Sequence, residues 1–179
     1  MIIDLSSPQA ENVELSGGKG ASLARMLRFG LPVPHGFVIT PGSTEPRELW
    51  IACARLGDGT VAVRSSAVCE DGTSNSFAGQ HDTFLNVGYG EELSAYVERC
   101  RASVNSDHAR AYREAAGITD SRMAVVVQRM VDAERAGTLF TVNPVTGNRN
   151  ELVIEYVDGL GDKLVGGKVT PTTLVFRWD

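Results

Sequence analysis

The sequence lacks an apolar run of about 18 residues, the minimum for a membrane-spanning helix. Its start, "MIIDLSSPQAENVEL", has neither the basic stretch nor the long apolar stretch of a secretory leader, so a cytoplasmic protein is expected. Cysteine is scarce. Cys53, Cys69 and Cys100 are odd in number and scattered, which favours free thiols in a reducing compartment over a disulfide framework. His35, His81 and His108 lie far apart and no Cys/His spacing resembles a zinc site, so no residue is assigned as a metal ligand. Positive charge is not in excess: 17 Lys and Arg face 22 Asp and Glu, for a net charge of −5. That excludes a general attraction to nucleic acid or to an anionic membrane, and any anion site must be built locally. There is no internal repeat and no low-complexity tract.

What is present is ordinary for a soluble globular protein: 42% hydrophobic and 22% charged residues in a chain of 179. That length suits one domain or two small subdomains. "GKGASLARMLRFGLP" reads as a helix with Leu23, Met26 and Leu27 on one face, stopped at Gly30 and Pro32. "GFVIT" (Gly36–Thr40) reads as a strand, and a short helix is expected through Leu49, Ala52 and Leu56. Val61–Ser65 and Thr83–Val87 read as strands, and Glu91–Val104 carries a helical stripe. A further helix is expected from Ser106 to about Ala116, before Gly117. Then the rhythm changes. Met123–Val131, Ala136–Val142, Glu151–Val157 and Thr172–Trp178 are four strand candidates joined by turns such as "NPVTGNRN". The expected class is α+β, with a mixed part over residues 1–110 and a part dominated by antiparallel strands over 111–179.

Three stretches could carry chemistry. In "ELSGGKGASL", Gly17, Gly18 and Gly20 surround Lys19 where a helix begins; unpaired N–H groups and a full positive charge there suit a phosphate. It is not a Walker loop, because no Ser or Thr follows the Lys. A flexible loop with a solvated Lys fits the spacing as well. In "VRSSAVCEDGTSNSFAGQHDT", Arg64 at a strand end can present a bidentate fork to phosphate oxygens, and the Ser- and Gly-rich loop after it can bring backbone N–H groups close to a phosphate tail. Polar loops this long are uncommon unless functional or disordered. A surface loop with Arg64 in a structural ion pair is the other reading. In "VVVQRMV", Gln128 and the backbone near Met130 could hold a base edge, or the strand could be plain core.

"LSGGKGASLARMLRFGLPVPHGFVIT", "VAVRSSAVCEDGTSNSFAGQHDTFLNV", "MAVVVQRMV" and "GTLFTVNPVTG…ELVIEYVDGLGDKLVGGKVTP" together resemble the N-terminal nucleotide-binding domain of the phosphoenolpyruvate synthase, pyruvate phosphate dikinase and rifampin phosphotransferase family. The motifs occur in the family's order and cover most of the chain. The resemblance implies an ATP-grasp fold, in which two α+β subdomains hold ATP; here the second is incomplete. It implies that Lys19 and Arg64 act on the ATP phosphates as catalytic and binding groups. It also implies that Thr83 lies near the phosphates, that Gly79 and Gln80 lie on a lid loop over them, and that Gln128 with Met130 holds adenine. Cys69 stands where the family commonly has small residues, so it is expected to be replaceable.

Two departures are expected to matter. The family has a longer helical insertion between the motifs that match "GFVIT" and "VAVRSS". Its domain also continues to a stretch resembling "DIEWA … QSRPIT", which supplies the magnesium carboxylates and which nothing here matches. None of the three histidines sits in a phosphohistidine motif. The resemblance therefore implies an ATP-binding component of a phosphotransferase that converts ATP to AMP and passes a phosphoryl group to a histidine on another domain or chain. ATP and magnesium would be the cofactors. The remaining parts would come from a partner chain, or the chain would self-associate, through Thr172–Trp178. The alternative is a non-catalytic nucleotide-binding or regulatory module that lost the metal site.

Overall fold

A computed structural model describes residues 1–43, 46–68, 83–107, 110–111, 114, 119 and 121–178. Cys69, Gly79, Gln80, His81 and His108, with most of the helix expected over Ser106–Ala116, lie outside the described residues. The chain divides into two compact units, Met1–Met130 and Val131–Asp179.

The first unit is built on a five-stranded antiparallel sheet. Its strands are β1 (Ile2–Asp4), β2 (Gly36–Ile39), β3 (Val61–Ala67), β4 (Thr83–Val87) and β5 (Met123–Arg129), in the order β1-β2-β5-β3-β4. β5 is central, and every residue from Met123 to Gln128 is buried. Its unbroken apolar run is what a strand covered on both faces requires. This moves the unit boundary. The sequence reading opened the second part at 111 and put β5 in it, whereas β5 pairs along its length with β3 and with β2, and the division falls after Met130. β1 was not anticipated, because three residues are too few to show an alternation.

Helices cover both faces. α1 (Val13–Arg28) sets Leu23 and Leu27 against Leu5, Val38, Ala124 and Val126. α2 (Pro46–Leu56) and α3 (Glu91–Ala102) cover the other face, where Leu49, Cys53, Leu93, Val97 and Cys100 join Phe37, Val61, Val63, Val125 and Val127 in one core. α1 starts earlier than its glycines imply. Asn12 caps it, its side chain accepting from the Glu14 N–H at 3.0 Å. The helix is then broken at Gly17, whose φ of 66° lies in the left-handed region.

The second unit is a meander of β6 (Arg135–Phe140), β7 (Glu151–Asp158) and β8 (Thr172–Arg177), in the order β6-β7-β8, with a short α4 (Asp162–Val165) before β8. Asn143 closes the β6–β7 connection by accepting from the N–H groups of Val145 and Thr146. At the start of β7 the buried Glu151 accepts from Asn143 Nδ2 and from Arg177 Nε.

Candidate functional site

Strand register decides which side chains share a face. Arg64 lies opposite Val126 on β5 and Thr83 on β4, and Gln128 lies opposite Ala62 on β3 and Gly36 on β2. Directly paired residues of antiparallel strands point the same way. Arg64, Ser66, Thr83 and Gln128 therefore belong to one face of the first sheet, the face that α1 covers through Val38 and Val126. Lys19 sits on α1, two residues past the Gly17 break, where the helix lies against β3: a Cβ at Gly17 would overlap the backbone carbonyl of Ser66. Arg64, Thr83 and Gln128 thus share one side of one sheet, with the Lys19 turn packed against it. Gly79 and Gln80, expected on the lid, lie outside the described residues.

Arg64 is partly buried, and its Nε is enclosed with no hydrogen-bond partner. Burial pulls the guanidinium pKa below its usual range. No carboxylate of a described residue pairs with it. A desolvated cation with an unused donor is costly unless an anion completes it. Arg64 lies within its strand and not at its end. β3 runs to Ala67, two residues past the Ser65 at which the sequence reading closed it. Ser66, read as part of the polar loop, is a buried ladder residue opposite Ala124, as Ser65 is opposite Val125. Small hydroxyl side chains can be buried when their O–H groups find partners, so polarity alone misplaced the strand end.

Gln128 is only 4% exposed, and its Nε2 donates to the Pro34 carbonyl at 3.2 Å. It thus braces the turn into β2, a role its place in an apolar run did not reveal. Met130 follows β5 as the last residue of the first unit, its N–H donating to the Thr60 carbonyl. Thr83 is exposed at the start of β4. The residue that the sequence reading missed is Ser66. Its Oγ donates to the Ser16 carbonyl at 2.7 Å and accepts from the Gly20 N–H at 3.1 Å. The glycine at 17, which permits so close an approach, was the one available signal.

Other features do not compete for this role. A cavity of about 250 Å³, lined by Asp4, His35, Phe37, Glu48 and Arg55 among others, contains neither Lys19 nor Arg64; it lies by α2, on the side of Phe37. Cys53 is buried, and burial pushes its thiol up to about 11, so it is no nucleophile at neutral pH. Among the described residues no group of three or more His, Cys, Asp or Glu could hold a metal ion, and no helix is long and apolar enough to cross a membrane.

The model of the family "Pyruvate phosphate dikinase, AMP/ATP-binding domain" matches residues 47–178. It begins downstream of the Lys19 turn, but relatives extend across that turn. A "Probable phosphoenolpyruvate synthase" of Methanocaldococcus jannaschii is 36% identical over 92% of this chain and 18% of its own length. The "Prodigiosin synthesizing transferase PigC" of Serratia marcescens is 37% identical over 98% of this chain and 23% of its own. A "Rifampicin phosphotransferase" of a Streptomyces species is 34% identical over 99% of this chain and 26% of its own. The chain therefore spans about a fifth to a quarter of these relatives' lengths. The last alignment runs over 229 positions against a chain of 179, so that relative carries segments that this chain lacks. The chain belongs to the pyruvate phosphate dikinase AMP/ATP-binding domain family, and its α+β architecture with antiparallel sheets is of the ATP-grasp type.

Proposed function

We propose that this chain is the ATP-binding component of a phosphotransferase like phosphoenolpyruvate synthase or rifampicin phosphotransferase. The observation that carries the reading is Arg64: a partly buried guanidinium with an unused Nε, on the sheet face that also holds Thr83 and against which the Lys19 turn packs. A nucleotide phosphate tail supplies the missing acceptor. Lys19 and Arg64 hold the phosphates and stabilise charge as the phosphoryl group leaves. Thr83 stands beside them, with Gly79 and Gln80 on a lid. The edge of adenine is met by Gln128 and the backbone at Met130, where the first unit ends.

In this reading ATP and one water give AMP, inorganic phosphate and a phosphohistidine. The β-phosphoryl group passes to a histidine on another domain or chain as its bond to the α-phosphate oxygen breaks to release AMP, and the γ-phosphoryl group goes to water as inorganic phosphate. Magnesium, when bound, neutralises phosphate charge. Its carboxylates are proposed to come from a further segment or a partner chain. The chain's own residues bind, orient and charge-match the triphosphate.

The test is calorimetric titration of ATP and of adenosine against the chain and against Arg64→Ala. The expected outcome is a loss of about tenfold or more in ATP affinity, since charge-assisted contacts are about twice as strong as neutral ones, with adenosine affinity unchanged. Equal losses for both ligands would show that Arg64 is structural. AMP formation with magnesium, measured with and without a candidate partner, separates a catalytic component from a module that only binds nucleotide.

A further inference from the structure

α1 is broken at one point, and what fills the break is specific. In an unbroken helix the Gly20 N–H would donate to the Ser16 carbonyl four residues back. Here the Ser66 hydroxyl stands between them, accepting from Gly20 at 3.1 Å and donating to Ser16 at 2.7 Å. A side chain inserted into the helical ladder is a recognised cause of a kink. Gly17 makes the insertion possible, with its φ of 66° and the absence of a Cβ that would overlap Ser66. Ser66 is fully buried, so both of its hydrogen bonds are made away from water, where leaving a partner unpaired is costly. The break opens a fresh helical segment with Lys19 in its first turn, tied to the strand that carries Arg64 two residues earlier.

We infer that Ser66 is a positioning residue for the phosphate site: its hydroxyl splices the Lys19 turn onto β3 and so sets Lys19 and Arg64 in one fixed geometry toward a single triphosphate. The inference rests on the nucleotide reading above. Removing the hydroxyl has two outcomes at the atomic level. Either Gly20 N–H and Ser16 C=O are left unpaired, or they meet directly and α1 straightens. Both remove the tie that holds the Lys19 turn to the strand of Arg64, and neither touches the end of β5.

The test is titration of the chain and of Ser66→Ala with ATP, inorganic tripolyphosphate and adenosine, with folding checked by circular dichroism. The expected result is a loss of about tenfold for ATP and for tripolyphosphate and less than about twofold for adenosine. Unchanged ATP and tripolyphosphate affinity in folded Ser66→Ala overturns the inference, as does a loss shared equally by adenosine. A wild-type chain that binds neither ATP nor tripolyphosphate removes the nucleotide reading itself, and the inference with it. Should Ser66→Ala fail to fold, amide exchange on the unaltered chain decides. Slow exchange at Gly20 without ligand, unchanged by tripolyphosphate, supports the splice. Fast exchange at Gly20 that slows only when tripolyphosphate is added shows that the ligand organises the turn, and overturns it.

Discussion

The two sheets use similar residues to opposite ends. β5 reads "MAVVVQR" and is buried from Met123 to Gln128, whereas β8 reads "TTLVFR" and is exposed at every residue. The first sheet has helices on both faces and β5 in its centre. In the second sheet β8 is an edge, and Leu139, Leu174, Val175 and Phe176 are exposed. An apolar strand says that a surface is to be covered; it does not say what covers it. An edge of this kind is prone to pair with another strand, which is why Thr172–Trp178 is the place proposed for a partner chain or a second copy.

The largest expected effect sets one leucine in each sheet's surroundings against the other. Leu93, 2% exposed in the core under α3, should cost about 3 kcal/mol when truncated to Ala. Leu174, 42% exposed on β8, should cost less than about 0.5 kcal/mol. Urea unfolding of Leu93→Ala and Leu174→Ala measures both. Comparable losses would mean that β8 is covered in solution, and the contrast between the sheets would fail.

Glycines sharpen the same contrast. Gly17 and Gly167 both have left-handed φ, 66° and 63°. Nothing lies within reach of a Cβ at Gly167, whereas at Gly17 a Cβ would overlap the Ser66 backbone. Gly167→Ala should therefore cost only the conformational penalty of about 1–2 kcal/mol. Gly17→Ala should cost more than that, and should also weaken ATP binding. Equal thermal shifts for the two variants would show that the approach of α1 to β3 yields easily.

The smallest effect is electrostatic and belongs to the second unit. The Asn143 hydrogen bond, helped by Arg177, holds the Glu151 carboxyl below its ordinary value of 4.5. A carboxyl depressed on folding contributes stability above its unfolded pKa, and that stability is lost as pH falls through the folded value. The second unit should therefore weaken below about pH 4.5, as followed by Trp178 fluorescence in a Trp50→Phe background. Glu151→Gln should flatten that part of the profile. An unchanged profile in Glu151→Gln would assign the acid sensitivity to other carboxyls.

Much of this was legible in the sequence. The strands at Gly36, Val61, Thr83, Met123 and Glu151 announce themselves by apolar runs, and three of them are stopped by Pro41, Gly88 and Gly159, since local propensity and turn chemistry act over a few residues. The family resemblance singles out Lys19, Arg64, Thr83 and Gln128, whose role at a nucleotide stands as the proposal above; the structure places the three strand residues on one face of a sheet with the Lys19 turn packed against it. The full length of β3 was not legible, because Ser66 and Ala67 read as loop until their partners are known. Nor was the ownership of β5. An apolar run fixes that a strand is buried, but the long-range pairing that put Val125 against Ser65 and Ile39 is a property of the whole chain. The Ser66 splice is of the same kind: its two hydrogen bonds join residues 46 and 50 positions apart. Sequence alone determined the local elements and the residue types available to meet a phosphate. Only tertiary structure decided which hydroxyl enters which helix and that Arg64 Nε is enclosed without a partner among the described residues, because burial and hydrogen-bond satisfaction depend on what packs alongside and not on what precedes.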